Sequence, residues 1–186
     1  MKASMNTTAK VVNVVVSTFA AIAVGLGLTS TPMAQSLDFN TEITIAELME
    51  ALVMPEADVI WNAVQFSATE DGEDMIGPET DEDWLNIRHN AIALAEVANN
   101  LMIPGRPANR ADAPAPEGEL APADIEALID AERGAWNAYA QTLHTVAMQA
   151  VEAVDARDLE AIFLDTGGAL DAACEGCHRT FWYPDQ

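Results

Sequence analysis

The sequence predicts an all-α chain arranged as an up-down-up-down four-helix bundle, and three observations carry that expectation. Apolar residues recur at steps of three and four through four separate segments. No run alternates with period two between turn signals, so no strand is expected. The segments are joined by acidic or Pro- and Gly-rich stretches of moderate length, which suits antiparallel neighbours. At 186 residues, half of them apolar, the chain can bury one sizeable core, and one domain is expected over residues 35–186.

Residues 1–34 read differently. Lys2 and Lys10 precede an almost continuously apolar run from Val11 to Leu28, which closes on Thr29-Ser30-Thr31-Pro32-Met33-Ala34. A basic head, an apolar stretch and small residues describe a secretory signal peptide cleaved near Ala34. The run is long for a signal and carries Asn13, Ser17 and Thr18, so a retained anchor is the competing reading. With neither a twin arginine nor a lipobox cysteine, the expectation is a periplasmic product with no stable membrane insertion after cleavage.

The first helix is expected from about Thr41 to Phe66, with Ile45, Leu48, Met49, Leu52, Val59, Ala63 and Phe66 on one stripe. Pro55 removes a backbone donor there, so a kink or break is expected near Met54. An acidic linker, Glu70-Asp71-Gly72-Glu73-Asp74, then leads to Gly77-Pro78. Thr80 offers a cap to a second helix, with acids in its first turn. Trp84, Ile87, Ala91, Leu94, Ala98 and Leu101 form its seam without a miss.

Pro104, Gly105, Pro107, Pro114, Pro116 and Gly118 make the next stretch a loop. Pro122 suits the first turn of a third helix, the longest, which keeps its face through Ile125, Leu128, Glu132, Ala135, Tyr139, Leu143, Val146, Ala150 and Val154 and ends near Ala156. The fourth runs from about Asp158 through Leu159, Ile162, Phe163 and Leu170 to the cysteines. Gly167-Gly168 weakens it and points to the close approach of another group.

Both lysines lie in the expected leader, which leaves six arginines against thirty acidic residues. Such a surface repels a phosphate backbone, so nucleic acid is excluded as a natural partner. A partner with a basic docking face is favoured instead, although the same charge also simply keeps an exported protein soluble.

Two cysteines in an exported chain first suggest a disulfide. Here they stand as Cys174-Glu175-Gly176-Cys177-His178. On a helix these three side chains project from one face within about one turn. Two thiols can form thioethers to the vinyl groups of one covalently bound haem c, while His178 reaches the iron as proximal ligand. Zinc would need a second donor pair. A thiol-redox pair would follow a strand and open a helix, whereas this pair ends an all-helical chain.

With four expected helices after an export signal, haem attachment near the C-terminus, and Phe181 three residues after His178, the chain resembles the class II cytochromes c, the cytochrome c-prime family. Phe163 and Gly167-Gly168 stand at family-like distances before Cys174. The layout covers the mature chain; the specific match covers its last two dozen or so residues. The resemblance implies a left-handed four-helix bundle with covalent haem. Some members carry electrons with a methionine as second axial ligand, and others leave that position open and bind gases. Pro55, the Pro-rich loop before Pro122, and Phe181-Trp182-Tyr183-Pro184 in place of basic residues depart from the pattern.

In an up-down-up-down bundle the start of the first helix shares an end with the close of the fourth. Met49 lies on the core stripe there, and a thioether suits iron in an electron carrier, as in the family's low-spin members. The plainer description of such a methionine is core filling. Met54 and Met102 are weaker candidates for the same position. His89 is expected to face solvent, and His144 to be partly buried. Trp84 and Trp136 are expected in the core, with Trp61 and Trp182 as further aromatic candidates and Trp182 covering one haem edge. Arg106 and Arg110 lie in the loop expected near the haem end, where a guanidinium can pair with a propionate.

The function expected is periplasmic electron transfer. The alternatives are gas binding at an open site beside Leu48, Met49 and Leu52, and a haem-free module with a disulfide. No paired carboxylate and histidine constellation or phosphate loop points to an enzyme. A homodimer stays open.

Overall fold

The structure, a computed structural model, describes residues 38–70 and 72–184. The expected leader, residues 1–34 with its cleavage near Ala34, lies outside them. The described chain is mostly helical, with five helices and one two-stranded sheet. In chain order these are α1 (residues 45–61), β1 (Gln65–Thr69), β2 (Gly72–Ile76), α2 (Asp81–Leu101), α3 (Pro122–Ala131), α4 (Arg133–Ala156) and α5 (residues 159–181). None of the described helices is long and apolar enough to cross a membrane.

Helix α1 opens on a capping box, in which Thr44 and Glu47 satisfy each other's backbone donors. The next free donors, Ile45 N and Ala46 N, bond to the Pro107 and Ala108 carbonyls of the long loop, at 2.8 and 2.9 Å. Pro55 does not break this helix. The turn Met49–Val53 is π-helical, with Met54 N donating to the Met49 carbonyl, and α-helix resumes at Met54–Trp61 with Pro55 in its first turn. The wider turn inserts one residue into the helical period, so the buried side passes from Ile45 and Leu48 to Val53, Ala57 and Ile60. Leu52, expected on the core stripe, is consequently 40 % exposed.

The first helix ends at Trp61 and not at Phe66, and the acidic stretch after it is a β-hairpin and not a linker. Gln65 pairs with Ile76, Phe66 with Met75 and Thr69 with Gly72. Gly72 takes φ 138°, a conformation open to glycine, where the chain turns back. Phe66 stacks on Phe163 of α5 with centroids 6.0 Å apart. One aromatic anchor thus holds a hairpin whose strands lack the alternation that would have disclosed them.

Helix α2 follows expectation: Thr80 and Asp83 form its capping box, and Trp84, Ile87, Ala91, Leu94, Ala98 and Leu101 are all buried. The third predicted helix is two. Its backbone breaks at Glu132, φ −113° and ψ 36°, which separates α3 from α4. The break moves the buried face, so Glu132 and Ala135 are exposed while Trp136 is 2 % exposed. Helix α4 ends on Arg157 in the left-handed conformation, with Asp158 N bonded back to the Ala153 carbonyl. Arg157 pairs with Asp81 and lies over Trp84, 5.6 Å from the ring centroid.

Helix α5 contains a second π-helical stretch, Ala161–Thr166, followed by Gly167–Phe181. Trp61 is the group that approaches Gly167: its indole N–H donates to the Gly167 carbonyl at 3.2 Å. Gly168 faces open space.

The buried residues form two clusters. The larger contains Ile45, Leu48, Val53, Leu94, Leu101, Trp136, Leu143, Leu170 and Phe181. The smaller gathers Val64, Trp84, Ile87, Ala153, Val154 and Ile162.

Candidate functional site

Cys174, Cys177 and His178 lie in the last turns of α5 and face one narrow apolar cavity of about 60 Å³. Its wall is completed by Met49, Val53 and Met54 of α1, Leu101 at the end of α2, Trp136, Tyr139, Ala140 and Leu143 of α4, and Ala173. Apolar lining with few polar groups is the usual character of ligand pockets, although the enclosed volume is far below their usual range.

Both cysteines are free thiols. Burial pushes the Cys174 thiol up to about 11, with the Asp171 charge adding to it. Burial likewise pushes Cys177 up to about 12, with Cys174 beside it. The groups are therefore neutral at physiological pH. Burial also lowers the His178 pKa, against the opposing pull of Glu175 and Glu119, so the neutral imidazole is favoured. Tyr183 packs its ring 6.0 Å from that of His178 and donates to Glu175 Oε2 at 2.8 Å.

A thiol whose pKa is raised in the fold stabilises the folded state fully below its unfolded value of 9.0, and that stabilisation is lost as pH rises towards about 11 and 12. The chain with free thiols is accordingly expected to lose melting temperature faster between pH 9 and pH 12 than Cys174→Ala/Cys177→Ala. Parallel melting curves for the two chains would count against burial of the thiols.

Of the other candidates, Met49 is half-buried and lines the cavity, and so does Met54, although 44 % exposed. Met102 packs against the core outside the cavity lining. Leu48 is buried but does not line the cavity, and Leu52 faces outward, so of the residues expected around an open position only Met49 lines it, with Val53 beside it. His89 is exposed. His144 is half-buried, its Nδ1 2.9 Å from the Ala95 carbonyl. Trp84 and Trp136 are core residues, as expected. Trp182 packs against the core without lining the cavity, and Trp61 serves Gly167.

Arg106 is committed to the Asn100 and Ile43 carbonyls, and Arg110 lies 3.5 Å from Asp112. Neither lines the cavity. Among the described residues no group of three or more His, Cys, Asp or Glu is arranged to hold a metal ion.

Sequence reasoning placed Tyr139 on the face of its helix without giving it a part in the site. A signal was present in Gly176, a residue without a side chain between two cysteines, which leaves room for a neighbour. Val53 was missed because a regular period points to Leu52.

No protein-family model matches the chain, and no curated protein or solved structure matches it either.

Proposed function

We propose that this chain is an exported c-type cytochrome of the class II kind, carrying one haem c on Cys174 and Cys177 with His178 as proximal ligand, and that it transfers electrons. The observation that carries the reading is that two neutral thiols and a neutral imidazole from one helix face share an apolar cavity with Met49. This donor set fits a flat apolar group held at its edge by sulfur and at its centre by nitrogen. The ring nitrogens of His178 make no hydrogen bond to a described residue, which keeps one free for iron.

The cavity wall supports an up-down-up-down four-helix bundle with α1, α2, α4 and α5 as its members. The start of α1, the end of α2, the start of α4 and the end of α5 share the cavity. The opposite ends of the same four helices supply the second cluster, through Trp84 and Ile87, Ala153 and Val154, and Ile162, with Val64 just beyond α1.

When bound, haem supplies a one-electron change at iron. The residues of the chain do the rest. Trp136, Leu143, Val53 and Leu101 exclude water and so keep the surroundings of low polarity. Met49 offers a thioether from the wall, and ligation by Met and His raises a reduction potential. A basic redox partner suits the surface: all six arginines meet a carboxylate or a backbone carbonyl, as Arg88 does with Asp155 and Arg133 with Asp130. The leader-like residues 1–34 suit export to the periplasm, and catalysis is not part of this reading.

Intact mass of the denatured, purified chain tests attachment, with one haem per chain expected; a mass matching polypeptide alone overturns the reading. The reduced spectrum then tests the ligand. Met49→Ala is expected to convert a six-coordinate, low-spin iron into a five-coordinate, high-spin one that takes up carbon monoxide, while Met54→Ala leaves the spectrum unchanged. A wild-type iron that is already five-coordinate removes Met49 as ligand and makes gas binding the function.

A further inference from the structure

Gly176 lies between the two cysteines, and a methyl group built on it would come within 3.2 Å of Tyr139 Cε1. A glycine thus lets the Tyr139 ring lie directly against the turn that bears the thiols. The same tyrosine reaches this turn a second time by hydrogen bonding. Its hydroxyl is 3.0 Å from Thr180 Oγ1, and Thr180 Oγ1 donates to the Gly176 carbonyl at 2.8 Å. A hydroxyl has one proton to give. Since that of Thr180 goes to the carbonyl, Tyr139 is the donor to Thr180.

The relay therefore has a fixed direction, from phenol to threonine hydroxyl to the carbonyl of the peptide joining Gly176 to Cys177. Tyr139 is itself braced on α4 by edge-to-face packing with Phe181, at 6.1 Å and 90°. It also lines the cavity. His178, next along the chain, has no hydrogen bond from a described residue to fix its ring, so its direction depends on the backbone beneath it and on the Tyr183 ring 6.0 Å away.

We propose that Tyr139 is a positioning residue for the Cys174–His178 turn, holding it by ring contact at Gly176 and by the relay through Thr180, and thereby directing the His178 imidazole. Its consequence at iron rests on the haem reading above; its hold on the turn does not. The two hydroxyls act in series, so losing either one breaks the same connection.

The test uses the full chain as purified, in the variants Tyr139→Phe, Thr180→Val and both together, with intact mass taken on each. Tyr139→Phe keeps the ring and removes only the proton donor. Amide hydrogen exchange over residues 174–181 is expected to quicken about fivefold in Tyr139→Phe, as loss of one ordinary hydrogen bond implies, and at least as much in Thr180→Val, which loses both bonds of the relay. The double variant should go no further than Thr180→Val, because the effects are coupled. In haem-loaded protein the electron paramagnetic resonance of ferric iron should shift in the same direction in both single variants. Unchanged exchange, or effects that add in the double variant, overturns the proposal. Faster exchange with an unmoved iron signal overturns the part that concerns His178. Should the wild type carry no haem, the haem reading falls alone, and exchange still decides whether Tyr139 holds the turn.

Discussion

On the haem reading proposed above, replacing Cys174 and Cys177 together by alanine is expected to abolish covalent attachment, taking the attached fraction from one haem per chain to none. Both thiols open onto the same cavity from successive turns of α5, and the described chain has no other cysteine to replace them. Either single replacement leaves one sulfur in place, so a smaller loss is expected from it. Intact mass after denaturation and removal of free haem reads the result directly. An undiminished haem mass in the double variant would sink the attachment assignment. His178→Ala separates the roles, because the thiols can still be alkylated by haem vinyl groups while the iron loses its nitrogen. Its expected signature is a retained mass with an altered spectrum.

The second large effect concerns stability. Trp136→Ala is expected to cost about 4 kcal/mol of folding free energy, in the range for deleting a large aromatic side chain from a core. Trp136 is 2 % exposed, donates its indole N–H to the Leu101 carbonyl at 2.7 Å, and meets Phe181 edge-to-face at 5.2 Å. It therefore ties the end of α2 to α4 and α5 at the cavity wall. Trp136→Phe keeps most of the volume but strips the Leu101 carbonyl of its partner, so about 1–3 kcal/mol is expected. His89→Ala, on an exposed face, should stay within about 0.5 kcal/mol. Urea unfolding of the three variants checks the order. Equal midpoints for Trp136→Ala and His89→Ala would mean that the indole does not carry this junction.

Helix α2 was legible residue by residue, because its six apolar positions keep a strict period and its cap is encoded locally by Thr80 and Asp83. The common placing of Cys174, Cys177 and His178 was legible for a similar reason: cysteines three apart and a histidine one further on share a helix face in any α-helix. Pro55 was legible only as a disturbance. Its missing donor can be absorbed by a kink, a break or a wider turn, and packing selected the last. That choice exchanged Leu52 for Val53 at the core and so changed which residue bounds the cavity. The hairpin was hidden because its anchor, Phe66 on Phe163, joins residues almost a hundred positions apart.

Sequence alone thus determined the helical class, the seam and cap of α2, and the face on which Cys174, Cys177 and His178 stand together. These depend on interactions within a turn or two of the chain, which local residue types set. Only the tertiary structure decided that Met49 and Met54 share the cavity with that face, that the third predicted helix divides at Glu132, and that Tyr139 rests on Gly176. Each of these turns on which surfaces meet across separate helices, where volume and hydrogen-bond geometry choose among turns that the local sequence permits equally.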